Sequence, residues 1–325
     1  MPSRNTLMPI LAQSNGILSG NNPRGLSFAG RTSFTGYVFG HSLFDHDAPP
    51  TANEFTNTGY WMNDAAAQSS TTSRWTQTFG QLRDQTIPPL VDTTVGPSNN
   101  PSEPWPEVPV TAWEDVAWDG VLIMASNFEQ AAKTPETFVD ESIAVLDYIV
   151  ANTTGLIYLY GHWADPTVNY GIPVTGGNTM TPTDFNRWLN TMTPEPSSST
   201  TNATDYFNWH IDYLNGMLNR NYNVRMIPVG PILADLFLNE SYLSTIEFAD
   251  IAFDSAPHFT PTGYFLAGMI CYIALMGTAP SASYVPTTAT PAIETEVLNN
   301  LSSIYTYIQT RLTFYNDPAR GSRVY

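Results

Sequence analysis

Two short stretches of this chain carry residue types that can cut an ester bond. One is Gly40-His41-Ser42-Leu43, and the other is Asp254-Ser255-Ala256-Pro257-His258. A serine hydroxyl is a poor nucleophile until a base takes its proton, so the chemistry needs Ser and His within hydrogen-bond reach and donors aimed at the developing oxyanion. Ser42 and His258 are the candidate pair. Gly80, in Phe79-Gly80-Gln81-Leu82, and Asn127, in Ala125-Ser126-Asn127, are two further candidate positions, because each follows a segment that reads as a strand.

Such residues must be brought together by the elements that end beside them. Apolar runs alternate with helix-periodic segments, the pattern of a parallel sheet covered by helices on both faces. The expected class is α/β. Strands are predicted at Thr35–Gly40, near Arg74–Gln77, and at Val121–Ala125, Leu156–Tyr160 and Val224–Val229. Helices are predicted through Tyr60–Ala67, from Thr134-Pro135 through Phe138, Val139, Ile143, Leu146, Ile149 and Val150, over Asp205–Leu218, from Ile232 to Leu238, and over Thr262–Met276 up to Gly277. Ile293, Val297, Leu301, Ile304, Ile308 and Leu312 make a last apolar stripe. On this reading Ser42, Gly80 and Asn127 follow the first three strands, while His258 follows the last strand and precedes a helix. Open α/β sheets place their sites at that edge.

With 325 residues, 42% of them hydrophobic, the chain can bury a substantial core, and a single domain over 1–325 is expected. It carries an irregular N-terminal extension over about 1–30, a Pro-rich loop over about 92–112 and a C-terminal helical extension over about 291–325. Twelve basic residues against 29 acidic ones, a net charge of −17, leave no basic groove for phosphates and oppose an anionic membrane surface. Neither nucleic acid nor membrane is an expected partner, and neutral or esterified substrates suit this charge. Cys271, the single cysteine, lies in an apolar run and reads as a core residue. His41, Asp45, His46 and Asp47 crowd one stretch without closed ligand spacing, so no metal is expected. No apolar signal segment is visible near the N-terminus, and scarce lysine with abundant Ser, Thr and Asn is shared by exported and salt-adapted proteins; the localisation and the oligomeric state stay open.

Four separated blocks between residues 35 and 277 resemble the SGNH, or GDSL-type, hydrolases. Val38-Phe39-Gly40-His41-Ser42-Leu43 looks like the family's Gly-Asp-Ser-Leu turn with His41 in place of Asp, and the resemblance makes Ser42 the nucleophile. By position Gly80 matches the glycine whose N–H serves the oxyanion hole, and Asn127 matches the asparagine that donates to the same oxygen. His258-Phe259-Thr260-Pro261-Thr262-Gly263-Tyr264 is similar to the final block, a histidine followed by a helix. The family's aspartate stands three residues before that histidine, where this chain has Ser255; Asp254 stands four before. Either Asp254 reaches the ring through a turn one residue longer, or the site is a Ser-His dyad with a backbone carbonyl fixing the tautomer.

The resemblance implies a three-layer α/β/α, flavodoxin-like fold, no cofactor, and hydrolysis of carboxylic esters through an acyl-enzyme. Small acyl groups such as acetyl on polysaccharides lead the substrate classes, with simple esters next. A non-catalytic carbohydrate-binding or structural module on the same fold is the alternative. Ser14, in Gln13-Ser14-Asn15-Gly16, rivals Ser42 through its likeness to the Gly-Gln-Ser-Asn turn of related acetylesterases. His41, Gln130, His162 and Trp163 are candidates to line the substrate cleft, each with a structural reading beside it, and His210 reads as structural.

Overall fold

The structure, a computed structural model, describes residues 33–40, 43–44, 57–69, 72–79, 113–125, 134–167, 170–193, 203–286 and 293–315. Five strands, β1 (Ser33–Gly40), β2 (Thr72–Phe79), β3 (Gly120–Ile123), β4 (Leu156–Tyr160) and β5 (Val224–Ile227), form one parallel sheet in the order β2-β1-β3-β4-β5. Tyr37 pairs with Val121, Val121 with Ile157 and Ile157 with Val224, so the four strands from β1 to β5 share one register line. Successive strand residues point to opposite faces. Tyr37, Val38 and Phe39 are nevertheless all buried, as are Val121, Leu122 and Ile123, so both faces of the sheet are covered.

The covering helices are α1 (Thr58–Gln68), α2 (Pro135–Asn152), α3 (Pro182–Met192), α4 (Ala203–Asn219), α5 (Val229–Asn239), α6 (Phe248–Ile251), α7 (Pro261–Met276), α8 (Thr295–Asn299) and α9 (Leu301–Tyr315). The connection from β1 through α1 to β2 runs one way across the sheet. Those from β3 through α2 to β4 and from β4 through α4 to β5 run the other way. Parallel crossovers are right-handed, so α1 lies on one face and α2 and α4 on the other. Packing agrees: α7 lies against α1, and α2 against α4. This is a mixed α/β fold with a parallel sheet flanked by helices, compatible with three α/β/α layers.

Several helix ends follow their local chemistry. The Asn57 side chain accepts from the Tyr60 N–H at 2.8 Å, and Thr134 caps α2 with Pro135 as its first residue. Helix α7 starts on Thr260 and Pro261 and closes on Gly277 at φ 67°, a left-handed cap that glycine adopts without strain. Three expectations are corrected. Helix α3 falls in a stretch with no predicted element. Strand β5 stops at Ile227, two residues early, because Pro228 supplies no N–H to a ladder and instead opens α5. The C-terminal stripe is two helices, broken at Asn300, and Ile304, Ile308 and Leu312 are buried.

Candidate active site

Between α6 and α7 the chain makes a tight antiparallel excursion. Ala252 bridges Phe259, the Phe253 N–H donates to the His258 carbonyl at 2.9 Å, and the Thr260 N–H donates to the Ile251 carbonyl at 3.0 Å. Asp254 stands at the start of this loop and fills it. Its Oδ1 accepts from the backbone N–H groups of Ala256 and His258, each at 2.9 Å, and its Oδ2 lies 2.6 Å from His258 Nδ1. The longer spacing, four residues, is absorbed by these two backbone hydrogen bonds, which curl the loop around the carboxylate. Burial pushes the Asp254 carboxyl up, but the His258 ring, the His258 N–H and the Ala256 N–H outweigh it, so its pKa lies below the ordinary carboxylate value.

A carboxylate only accepts, so Nδ1 facing it carries a proton, and the neutral ring holds its basic lone pair on Nε2. The His258 side chain keeps 15% of its surface exposed and Asp254 33%. The imidazole is therefore fixed from behind and open to solvent in part. That is the arrangement a general base needs.

The loop is backed by Trp163, which is fully buried. Its indole N–H donates to the Pro257 carbonyl at 2.8 Å, and its ring stacks on Phe259 at 3.5 Å between centroids and 5° between planes. Trp163 itself follows β4 and is held from two sides. The Gly161 N–H donates to Ile227, the Gly230 N–H donates to Gly161, and the Trp188 indole donates to the Ala164 carbonyl. At Gly230 a Cβ would stand 2.4 Å from the His162 carbonyl, so only glycine lets α5 approach this closely.

A path of rings links this loop to the end of β1. Phe44 meets Tyr160 edge-on at 5.5 Å, Tyr160 meets Trp163 at 6.4 Å, and Trp163 stacks on Phe259, the neighbour of His258. Sequence 2-1-3-4-5 reverses direction between β1 and β3, and the crevice outside their carboxyl ends is where such sheets bind ligands. Met124, just past β3, donates its N–H to the Phe39 carbonyl of β1, which ties these two strand ends together.

A solved structure is similar in fold. It is a DUF4886 family protein from Bacteroides uniformis, 13% identical, with a TM-score of 0.52, and the match covers 88% of this chain and 96% of that one. At that identity the likeness concerns the fold alone. No family model matches the sequence, and no curated protein does.

His162 and Trp163, expected to line the cleft, are instead both engaged in the core. His162 is buried, with Nδ1 3.0 Å from the Trp163 carbonyl and 2.8 Å from the Tyr206 hydroxyl, which donates to the His162 carbonyl. Burial pulls the pKa of His162 down to about 4, against hydrogen bonds to the Trp163 and Ala125 carbonyls that favour the charged ring. His210, 5.2 Å away, is structural as expected; burial, then the neighbouring His162, holds its pKa well below the ordinary value. Cys271 is buried in α7, also as expected, and burial pushes its thiol pKa up. Ser42, His41, Gly80, Asn127, Gln130, the rival Ser14 and the loop over 92–112 lie outside the described residues. Among the described residues no group of three His, Cys, Asp or Glu side chains is placed to hold a metal, and no helix is long and apolar enough to cross a membrane.

What sequence reasoning missed is the part played by Trp163 and the Pro257 carbonyl. A tryptophan after a strand gives no sign of which carbonyl, 94 residues further along the chain, its N–H meets.

Proposed function

We propose that the chain is a serine esterase of the SGNH kind, with Ser42 as nucleophile, His258 as base and Asp254 as the residue that orients the base. The observation that carries this is the 2.6 Å contact between Asp254 Oδ2 and His258 Nδ1 in a loop stacked, through Trp163, on the carboxyl end of the sheet. Ser42 is bound in the chain two residues after the end of β1 and two before Phe44, the first ring of the path to Phe259.

In the proposed reaction Ser42 Oγ attacks the ester carbonyl carbon while His258 Nε2 takes its proton. The tetrahedral intermediate collapses, the alcohol leaves with that proton, and Ser42 is left acylated. Water then attacks the acyl-enzyme with His258 again as base, and the carboxylic acid departs. Asn127, Gly80 and the Ser42 N–H are the proposed oxyanion donors. Acetyl groups on carbohydrate are the proposed substrates, which the net charge of −17 favours over anionic ones.

Hydrolysis of p-nitrophenyl acetate and of acetylated polysaccharides by the purified protein tests the reading, with Ser42→Ala and Ser14→Ala side by side. Loss of turnover in Ser42→Ala alone supports it. Loss only in Ser14→Ala moves the nucleophile to the N-terminal stretch, and an inactive wild type overturns the esterase reading.

A further inference from the structure

We infer that Trp163 is a positioning residue for the Asp254–His258 pair, acting through the peptide bond between Pro257 and His258; the inference rests on the esterase reading for its kinetic consequence, while its geometric half stands without it. The carbonyl of that peptide accepts the Trp163 indole N–H at 2.8 Å, and the N–H of the same peptide donates to Asp254 Oδ1 at 2.9 Å. A peptide unit is planar, with its C=O and N–H pointing in opposite directions, so fixing one fixes the other. Trp163 therefore sets the direction in which the His258 N–H holds Asp254, and Asp254 in turn sets the imidazole through Oδ2. The order of the relay is indole, peptide, carboxylate, imidazole. Each bond polarises the next, so the relay is stiffer than its separate members.

The indole is built to hold still. It is fully buried, stacked on Phe259, and rooted in a segment pinned to β5 and α5 by the Gly161 and Gly230 backbone bonds. The acceptor of its N–H, Pro257, and the ring it stacks on, Phe259, are the residues on either side of His258. An aromatic that only filled space would satisfy the stack and leave the peptide plane to be set by the loop alone.

Trp163→Phe keeps a ring against Phe259 and removes the donor. In the full chain it is expected to lower kcat on p-nitrophenyl acetate about ten- to a hundredfold, with KM little changed, because a small misplacement of a catalytic group acts on the chemical step. In an Asp254→Asn background the same change is expected to cost little more, since both act through one relay. The His258 Nδ1 proton gives a second readout independent of turnover: its downfield resonance in the wild type is expected to weaken and move upfield in Trp163→Phe. If that variant does not fold, benzothienylalanine at position 163 keeps the bicyclic ring and exchanges N–H for sulfur. An unchanged resonance, or equal losses of kcat in the wild-type and Asp254→Asn backgrounds, overturns the inference. An inactive wild type whose His258 resonance still responds to Trp163→Phe sinks the esterase reading and leaves the relay standing.

Discussion

The carboxylate of Asp254 grips His258 twice, with Oδ1 on its backbone N–H at 2.9 Å and Oδ2 on its ring at 2.6 Å. One side chain thus sets both where the residue sits and how its imidazole is turned. The extra residue in the loop goes into the hydrogen bond from Ala256, and the orienting acid keeps its reach.

Asp254→Asn tests that grip. The amide is nearly isosteric and can still accept from the backbone, but it removes the charge and can present N–H to the ring, favouring the wrong tautomer. The expected result is a kcat on p-nitrophenyl acetate lower by about 10²- to 10⁴-fold with a thermal midpoint lowered only slightly, by the loss of the carboxylate's charge. A loss of less than threefold would mean that the site runs as a Ser-His dyad.

Acid is expected to destabilise the fold in two steps. His162, with its pKa lowered from 6.5 to about 4, stays neutral in the folded protein while the unfolded chain takes up a proton, and His210 is shifted the same way. For His162 this stability is full above 6.5 and falls as pH drops toward about 4, with a limiting slope of about 1.4 kcal/mol per pH unit, and His210 adds to the fall in the same direction. Asp254 acts lower: its folded pKa is depressed, so its contribution is present above 3.8 and lost as pH falls through the depressed value. Urea midpoints at about pH 7.5 and about pH 5 read the first step. His210→Gln is expected to flatten the slope, and equal midpoints in the wild type would refute the assignment.

At the far end of the chain Asp235 anchors α9. The Tyr315 hydroxyl donates to its Oδ2 at 2.7 Å, Arg311 pairs with it, and the Tyr307 hydroxyl donates to its backbone carbonyl. Asp235→Ala removes the carboxylate that pairs with the half-buried Arg311 guanidinium and accepts from the buried Tyr315 phenol, and is expected to cost about 2–4 kcal/mol in urea unfolding. Adding Arg311→Met should recover part of that loss, whereas a purely additive second loss would show that the ion pair is not the cause.

How much of this was legible in the sequence varies with the range of the forces involved. The central strands and α2, α4 and α7 were readable because burial on both faces leaves continuous apolar runs and because Thr134-Pro135 and Gly277 are local signals. The same signal, Thr181-Pro182 with Asp184 in the first turn, also opens α3, and Phe185, Trp188, Leu189 and Met192 give its buried face; it was obscured by the Gly-, Thr- and Pro-rich stretch before it. In α2 the predicted face drifted: Val150 is 54% exposed, while Ser142, hydrogen-bonded to the Tyr213 hydroxyl at 2.7 Å, is buried. A polar residue satisfied by a distant partner escapes any apolar pattern. The same holds at the site, where His258 could be picked from its local motif, but the reach of Asp254 and the support from Trp163 depend on contacts only the fold creates.

The central claim is that Ser42 is the nucleophile paired with His258, and labelling with a fluorophosphonate probe followed by peptide mass spectrometry tests it most directly. The predicted result is a single adduct on the peptide containing Ser42, absent in Ser42→Ala and strongly slowed in His258→Ala. No adduct on the folded wild-type protein, or an adduct on Ser14 with Ser42 untouched, would contradict it.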